Sequence, residues 1–140
     1  MLQVLYKNVY YIAWAQALVA TIGSLFFSEF IGLIPCLFCW YQRIFMYPLV
    51  FIIAVGILKK DKNLPFYVMP LSITGMFFAA YHYLLQKGIV PENVAPCGLG
   101  VPCNNIDLEW FGFITIPFLS LMAFAVITFC MWIKLKKADK

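Results

Sequence analysis

The charged residues Glu29, Arg43, Lys59, Lys62, Lys87, Glu109 and Lys134 divide the chain into blocks, the long ones apart from 87–109 being almost wholly apolar. A helix needs about 20 such residues to cross ~30 Å of hydrocarbon. Four blocks of that length fit along the chain. Of its 140 residues, 64% are hydrophobic and 11% charged, far too little polar surface to cover a water-soluble domain of this size. The expected fold is an all-α integral membrane protein, a four-transmembrane-helix bundle making one membrane domain over residues 1–140. Helices are expected at about 9–28, 39–58, 64–86 and 111–133, with loops over 29–38 and 87–110. The first block is longer than the apolar core of a signal peptide and is expected to remain as an anchor.

Arg43 stands too close to Lys59 for a full span to fit between them, so the second helix has to contain it. The last loop holds Pro91, Pro96, Gly98, Gly100 and Pro102, which predicts irregular backbone. All of the ten basic residues except Arg43 and Lys87 fall on one side of the expected bundle. Because basic loops stay in the cytoplasm, both termini and the 59–62 turn are expected there. That asymmetry accounts for the net charge of +4, and no nucleic-acid partner is expected; the lipid bilayer is.

With this topology Cys36, Cys39, Cys97 and Cys103 lie at the extracytoplasmic face and Cys130 at the opposite end. An oxidising compartment favours disulfide chemistry for the two outer pairs. The Cys36-x-x-Cys39 spacing gives a small, exchangeable ring, whose effect on the unfolded chain is slight, rather than a clamp on a long loop. Cys97-x5-Cys103, between prolines, reads equally as a loop staple or as a second redox pair. Four thiolates could also hold zinc, but an oxidising face disfavours free thiolate ligands and the second spacing is not that of a zinc knuckle, so no metal is expected. Trp40 rather than histidine follows Cys39, which rules out the haem-attachment motif.

Pro35 marks the entrance of the second helix, so both cysteines fall in or just before its first turn, where unpaired N–H groups favour a thiolate. Arg43, one turn after Cys39, lies on the same helical face. An arginine at mid-bilayer costs ~2.5–3.5 kcal/mol or more and marks a functional position unless its head snorkels to the lipid phosphates. His82 lies ~7–8 Å below the outer boundary and Arg43 ~6 Å, at about 1.5 Å per residue. Two polar side chains at one depth beside a redox pair suit the carbonyl oxygens of a lipid-soluble quinone, with its ring among Trp40, Tyr41 and other aromatics; an interfacial aromatic belt is the alternative for those rings.

Taken together, Cys36-x-x-Cys39-x-x-x-Arg43 at the start of helix two, the pair Cys97 and Cys103 between helices three and four, and His82 in Ala79-Ala80-Tyr81-His82 resemble the DsbB-type disulfide bond formation proteins. The likeness covers nearly the whole chain, and the short last loop is similar to the compact Gram-positive form often called BdbC. The resemblance implies a thiol:quinone oxidoreductase in the bacterial cytoplasmic membrane. Such an enzyme reoxidises an extracytoplasmic thioredoxin-fold oxidase, DsbA- or BdbD-like, and passes the electrons to menaquinone or ubiquinone. It implies Cys36, Cys39, Cys97 and Cys103 as catalytic residues, with Cys97 the cysteine that bonds the partner, a choice that the surroundings of Cys97 and Cys103 in the sequence leave open, and Arg43 and His82 at the quinone. Two other readings compete. A vitamin K epoxide reductase-like enzyme would carry its redox Cys-x-x-Cys near the end of the last bundle helix, and a membrane scaffold or metal-binding protein would hold static bridges.

Overall fold

The computed structural model describes residues 1–94, 102–103 and 109–140. Its helices are α1 (Leu2–Glu29), α2 (Leu37–Lys59), α3 (Leu64–Gln86) and α4 (Ile116–Ala138). All four are long and apolar enough to cross a membrane. Each packs on the next, and α4 closes back on α1. The ring of helices presents Val19, Ile22, Phe51, Phe77 and Phe129 outward, an apolar coat that suits lipid rather than water.

Lipid gives helices no hydrophobic reason to associate, so small residues and interhelical hydrogen bonds must hold them. Ala13 and Ala17 on α1, Ala79 on α3 and Ala123 on α4 are buried at the contacts. Gly75 of α3 lies so close to the Phe124 ring of α4 that no Cβ would fit without movement. One turn away, Thr128 Oγ1 donates to Ser72 Oγ at 2.9 Å, tying the same two helices. The α2–α3 turn is closed by Lys60, whose left-handed backbone (φ 54°) caps α2, and by Asp61 Oδ1, which accepts the Asn63 N–H at 2.8 Å.

Two expected boundaries are corrected. First, α1 begins at Leu2 rather than near residue 9. Its extra turns meet the basic end of α4, where Lys137 Nζ lies 4.7 Å from the Tyr6 ring, and one turn on Lys134 Nζ lies 4.7 Å from the Tyr10 ring. Second, α4 spans Ile116–Ala138 rather than 111–133. Strands β1 (Glu109–Trp110) and β2 (Ile114–Thr115) pair antiparallel, with Glu109 opposite Thr115. Phe111 (φ 55°) and Gly112 (φ 78°) make the turn between them, a backbone no helix can contain. Lys87 at the end of α3 holds this hairpin, donating to Glu109 Oε1 at 3.2 Å and to the Gly112 carbonyl at 2.7 Å.

Candidate redox site

Gly32 takes a positive φ of 77° in the connector after α1, and Pro35 then holds Ile34 away from helical backbone. Cys36 follows as the N-cap of α2, with φ −73° and ψ 176°, and its carbonyl accepts the Trp40 N–H at 3.1 Å. Cys39 sits in the first turn. Both are unbridged thiols, their Sγ atoms 3.3 Å apart. The Cys36 thiol is held well below its ordinary range, first by the hydrogen bond with Cys39 and then by His82, against the opposing effect of burial.

His82, in the last turn of α3, is 1% exposed. Its ring stacks on Phe38 with centroids 5.6 Å apart and planes at 28°. Nε2 lies 3.1 Å from the Cys103 carbonyl oxygen and 3.5 Å from Cys36 Sγ, while Nδ1 lies 3.0 Å from Gln42 Nε2. A carbonyl only accepts, so Nε2 carries a proton. Cys103 is buried and disulfide-bonded, and Cys97 lies outside the described residues. Cys36, Phe38, Leu85 and Cys103 form a small core of their own, packed by Leu37, Tyr41, Phe78 and Tyr81. Tilted and stacked rings surround it, such as Tyr41 on Phe78 at 5.2 Å, and Cys36 and Cys103 are buried.

Arg43 points the other way, toward α1. Its Nε–H donates to Ser24 Oγ at 2.9 Å and its Nη2–H to the Ser24 carbonyl at 3.1 Å, and the guanidinium lies 5.3 Å from the centroid of the Trp40 ring. Among the described residues the ion pair is Lys87 with Glu109, and the acceptors that Arg43 meets there are neutral. It lines a cavity of about 310 Å³ between α1, α2 and α4, together with Gln16, Ser24, Cys39, Gln42 and Ser120. His82 is not on that wall. The two side chains that the sequence puts at one depth are thus on opposite sides of α2, with Gln42 reaching both. Apolar walls with a few convergent polar groups are what a flat, lipid-soluble ring compound requires.

Cys36, Cys39 and His82 bring ligand-type atoms within 4.8 Å of one another. With Nε2 protonated toward the Cys103 carbonyl, His82 is arranged as a hydrogen-bond donor to its neighbours. Cys130 packs in the main core with Val9, Ile127 and Met131 and belongs to neither pair. Sequence reasoning passed over Gln42 and Ser24. Gln42 did leave a signal, as an amide inside an apolar span beside Arg43, whereas Ser24 left none.

Residues 6–133 match the family described as "Disulfide bond formation protein DsbB". The chain is 49% identical over 121 residues to "Disulfide bond formation protein C" of Bacillus subtilis, covering 86% of this chain and 88% of that one. It is 48% identical over 118 residues to "Probable disulfide formation protein C" of Halalkalibacterium halodurans, with 84% and 86% covered. It is 41% identical over 122 residues to the "SPbeta prophage-derived disulfide bond formation protein B" of Bacillus subtilis, with 86% and 81% covered. No solved structure matches it significantly.

Proposed function

Because the chain belongs to the DsbB family of disulfide bond formation proteins, and so is a disulfide-forming membrane protein, we propose that it is a thiol:quinone oxidoreductase. In this reading it sits in the bacterial cytoplasmic membrane with its termini inside and its redox cysteines outside. Its electron donor is an extracytoplasmic thioredoxin-fold oxidase in the dithiol form. The observation that carries the reading is the reach of one His82 nitrogen to both Cys36 Sγ (3.5 Å) and the Cys103 carbonyl (3.1 Å), which brings a member of each cysteine pair to one ring.

A partner thiolate attacks Cys97 of a Cys97–Cys103 bridge, a partner–Cys97 bond forms, and Cys103 leaves with the electron pair. The Cys103 thiolate attacks Cys36 of a Cys36–Cys39 bridge, a Cys36–Cys103 bond forms, and Cys39 leaves as a thiolate at the cavity. The second partner thiolate then attacks the partner sulfur bonded to Cys97, closing the partner's own disulfide and releasing Cys97. Cys97 attacks Cys103, restoring the loop bridge and releasing Cys36. Two electrons now reside on Cys36 and Cys39.

Quinone bound in the cavity would supply the electron sink, taking up two electrons and two protons. Arg43 and Gln42 would hold it beside Cys39, the guanidinium favouring both the thiolate and any negative charge on a neighbouring oxygen. His82 serves the other side of α2, donating to Cys36 as its sulfur becomes anionic.

Purified protein is tested for reduction of a soluble quinone analogue with a thioredoxin-fold dithiol as donor. Cys36→Ala and Cys39→Ala are each expected to lower the rate to background. Cys97→Ala or Cys103→Ala should block partner oxidation, one of them trapping a mixed disulfide. Normal turnover in either Cys36→Ala or Cys39→Ala overturns the reading.

A further inference from the structure

We propose that Gln42 is a positioning residue for exchange between the cysteine pairs: it fixes His82 in the form protonated at Nε2, so that one N–H spans Cys36 Sγ and the Cys103 carbonyl. The proposal rests on the reading that these two sulfurs exchange.

A neutral imidazole carries one N–H and one bare nitrogen, and its neighbours decide which is which. On the α2 side of His82, Gln42 Nε2 stands 3.0 Å from Nδ1. An amide N–H only donates, so it requires Nδ1 to be the bare nitrogen. The Cys103 carbonyl, 3.1 Å from Nε2, requires the proton there. Both ends of the ring agree, and both residues are buried, Gln42 at 6% exposure and His82 at 1%. Without the amide, Nδ1 would be an unsatisfied buried acceptor, and moving the proton to it would turn a lone pair toward the Cys103 oxygen and the Cys36 sulfur. Gln42 therefore sets, from the far side of the ring, whether Cys36 has a donor at 3.5 Å when it departs as a thiolate.

His82 is the single histidine in the sequence, so nitrogen-15 histidine labelling of the full-length protein in lipid nanodiscs reports this ring alone. The wild type is expected to show a protonated Nε2 and a bare Nδ1 at neutral pH. Gln42→Met, of similar length but with no donor, should mix the two forms. Gln42→Glu, whose carboxylate accepts from Nδ1, should give a doubly protonated ring. Exchange is followed in a Cys39→Ala/Cys97→Ala chain, where diamide takes two electrons from Cys36 and Cys103 to form their bridge. Glutathione then cleaves it: attack at Cys103 forms a glutathione–Cys103 bond and expels Cys36 as a thiolate.

Adding Gln42→Met is expected to slow this cleavage about tenfold, the effect of one hydrogen bond to a charged sulfur, while Gln42→Glu keeps or raises the rate. A wild-type ring protonated at Nδ1 overturns the proposal. So does a Gln42→Met chain with wild-type spectrum and cleavage rate. Failure of the Cys36–Cys103 bridge to form with Gln42 intact overturns the exchange reading, and the proposal with it.

Discussion

Arg43 carries a permanent charge within α2, yet its protein partners are the Ser24 hydroxyl and carbonyl and the face of Trp40. No carboxylate spends that charge among the described residues, so it acts on whatever shares the cavity with Cys39. Arg43→Met retains the length and apolar packing while removing the charge. It is expected to raise the Michaelis constant for quinone by at least about tenfold, the scale of a charge-assisted hydrogen bond, with loop–partner exchange largely preserved. Ser24→Ala loses one of two anchors and should raise it by only a few-fold. Steady-state rates across a range of quinone concentrations check both, and wild-type kinetics in Arg43→Met would leave the arginine as an interfacial anchor. Cys36, Cys39 and Arg43 were legible in the sequence because each is costly or reactive in an apolar span. The placement of Arg43 and His82 on opposite sides of α2 was not, because depth along a helix says nothing about which side of it a residue faces. The Cys103 carbonyl was invisible too, since every residue has one.

The α3–α4 pair decides where His82 stands, because α3 presents it two turns beyond Gly75. At that glycine the buried Phe124 ring lies against the backbone. Gly75→Ala would improve intrinsic helix propensity by about 1 kcal/mol, but it forces a fully packed ring to move at a cost of about 1–3 kcal/mol. The net expectation is a lower melting temperature in detergent, with slower quinone reduction as α3 shifts; thermal unfolding and turnover measure the two effects. Helix number and α3 itself (Leu64–Gln86) could be read from apolar length alone. The start of α4 could not. The run Trp110-Phe111-Gly112-Phe113 is as apolar as a helix, and only its positive φ angles and the β1–β2 pairing reveal a hairpin.

Across the whole molecule, the basic residues other than Arg43 and Lys87 gather at the end where α1 and α4 meet the α2–α3 turn, with Lys134, Lys136 and Lys137 lying over Tyr10, Trp132 and Tyr6. Positive charge retained in the cytoplasm would put the redox end outside. A green fluorescent protein fused after Lys140 is therefore expected to fluoresce and an alkaline phosphatase fused there to stay inactive; the reverse pattern would invert the proposed topology. Within the bundle, α2 stands between two compartments: the ring-lined core holding Cys36, His82 and Cys103, and the cavity reached by Cys39, Gln42 and Arg43. The helix is in effect a partition with one conducting element through it. Under the proposed function, a dithiol arriving on the Cys103 side and the oxidant on the other side meet through the Cys36–Cys39 pair, so electrons cross the helix by relay rather than by contact between donor and acceptor.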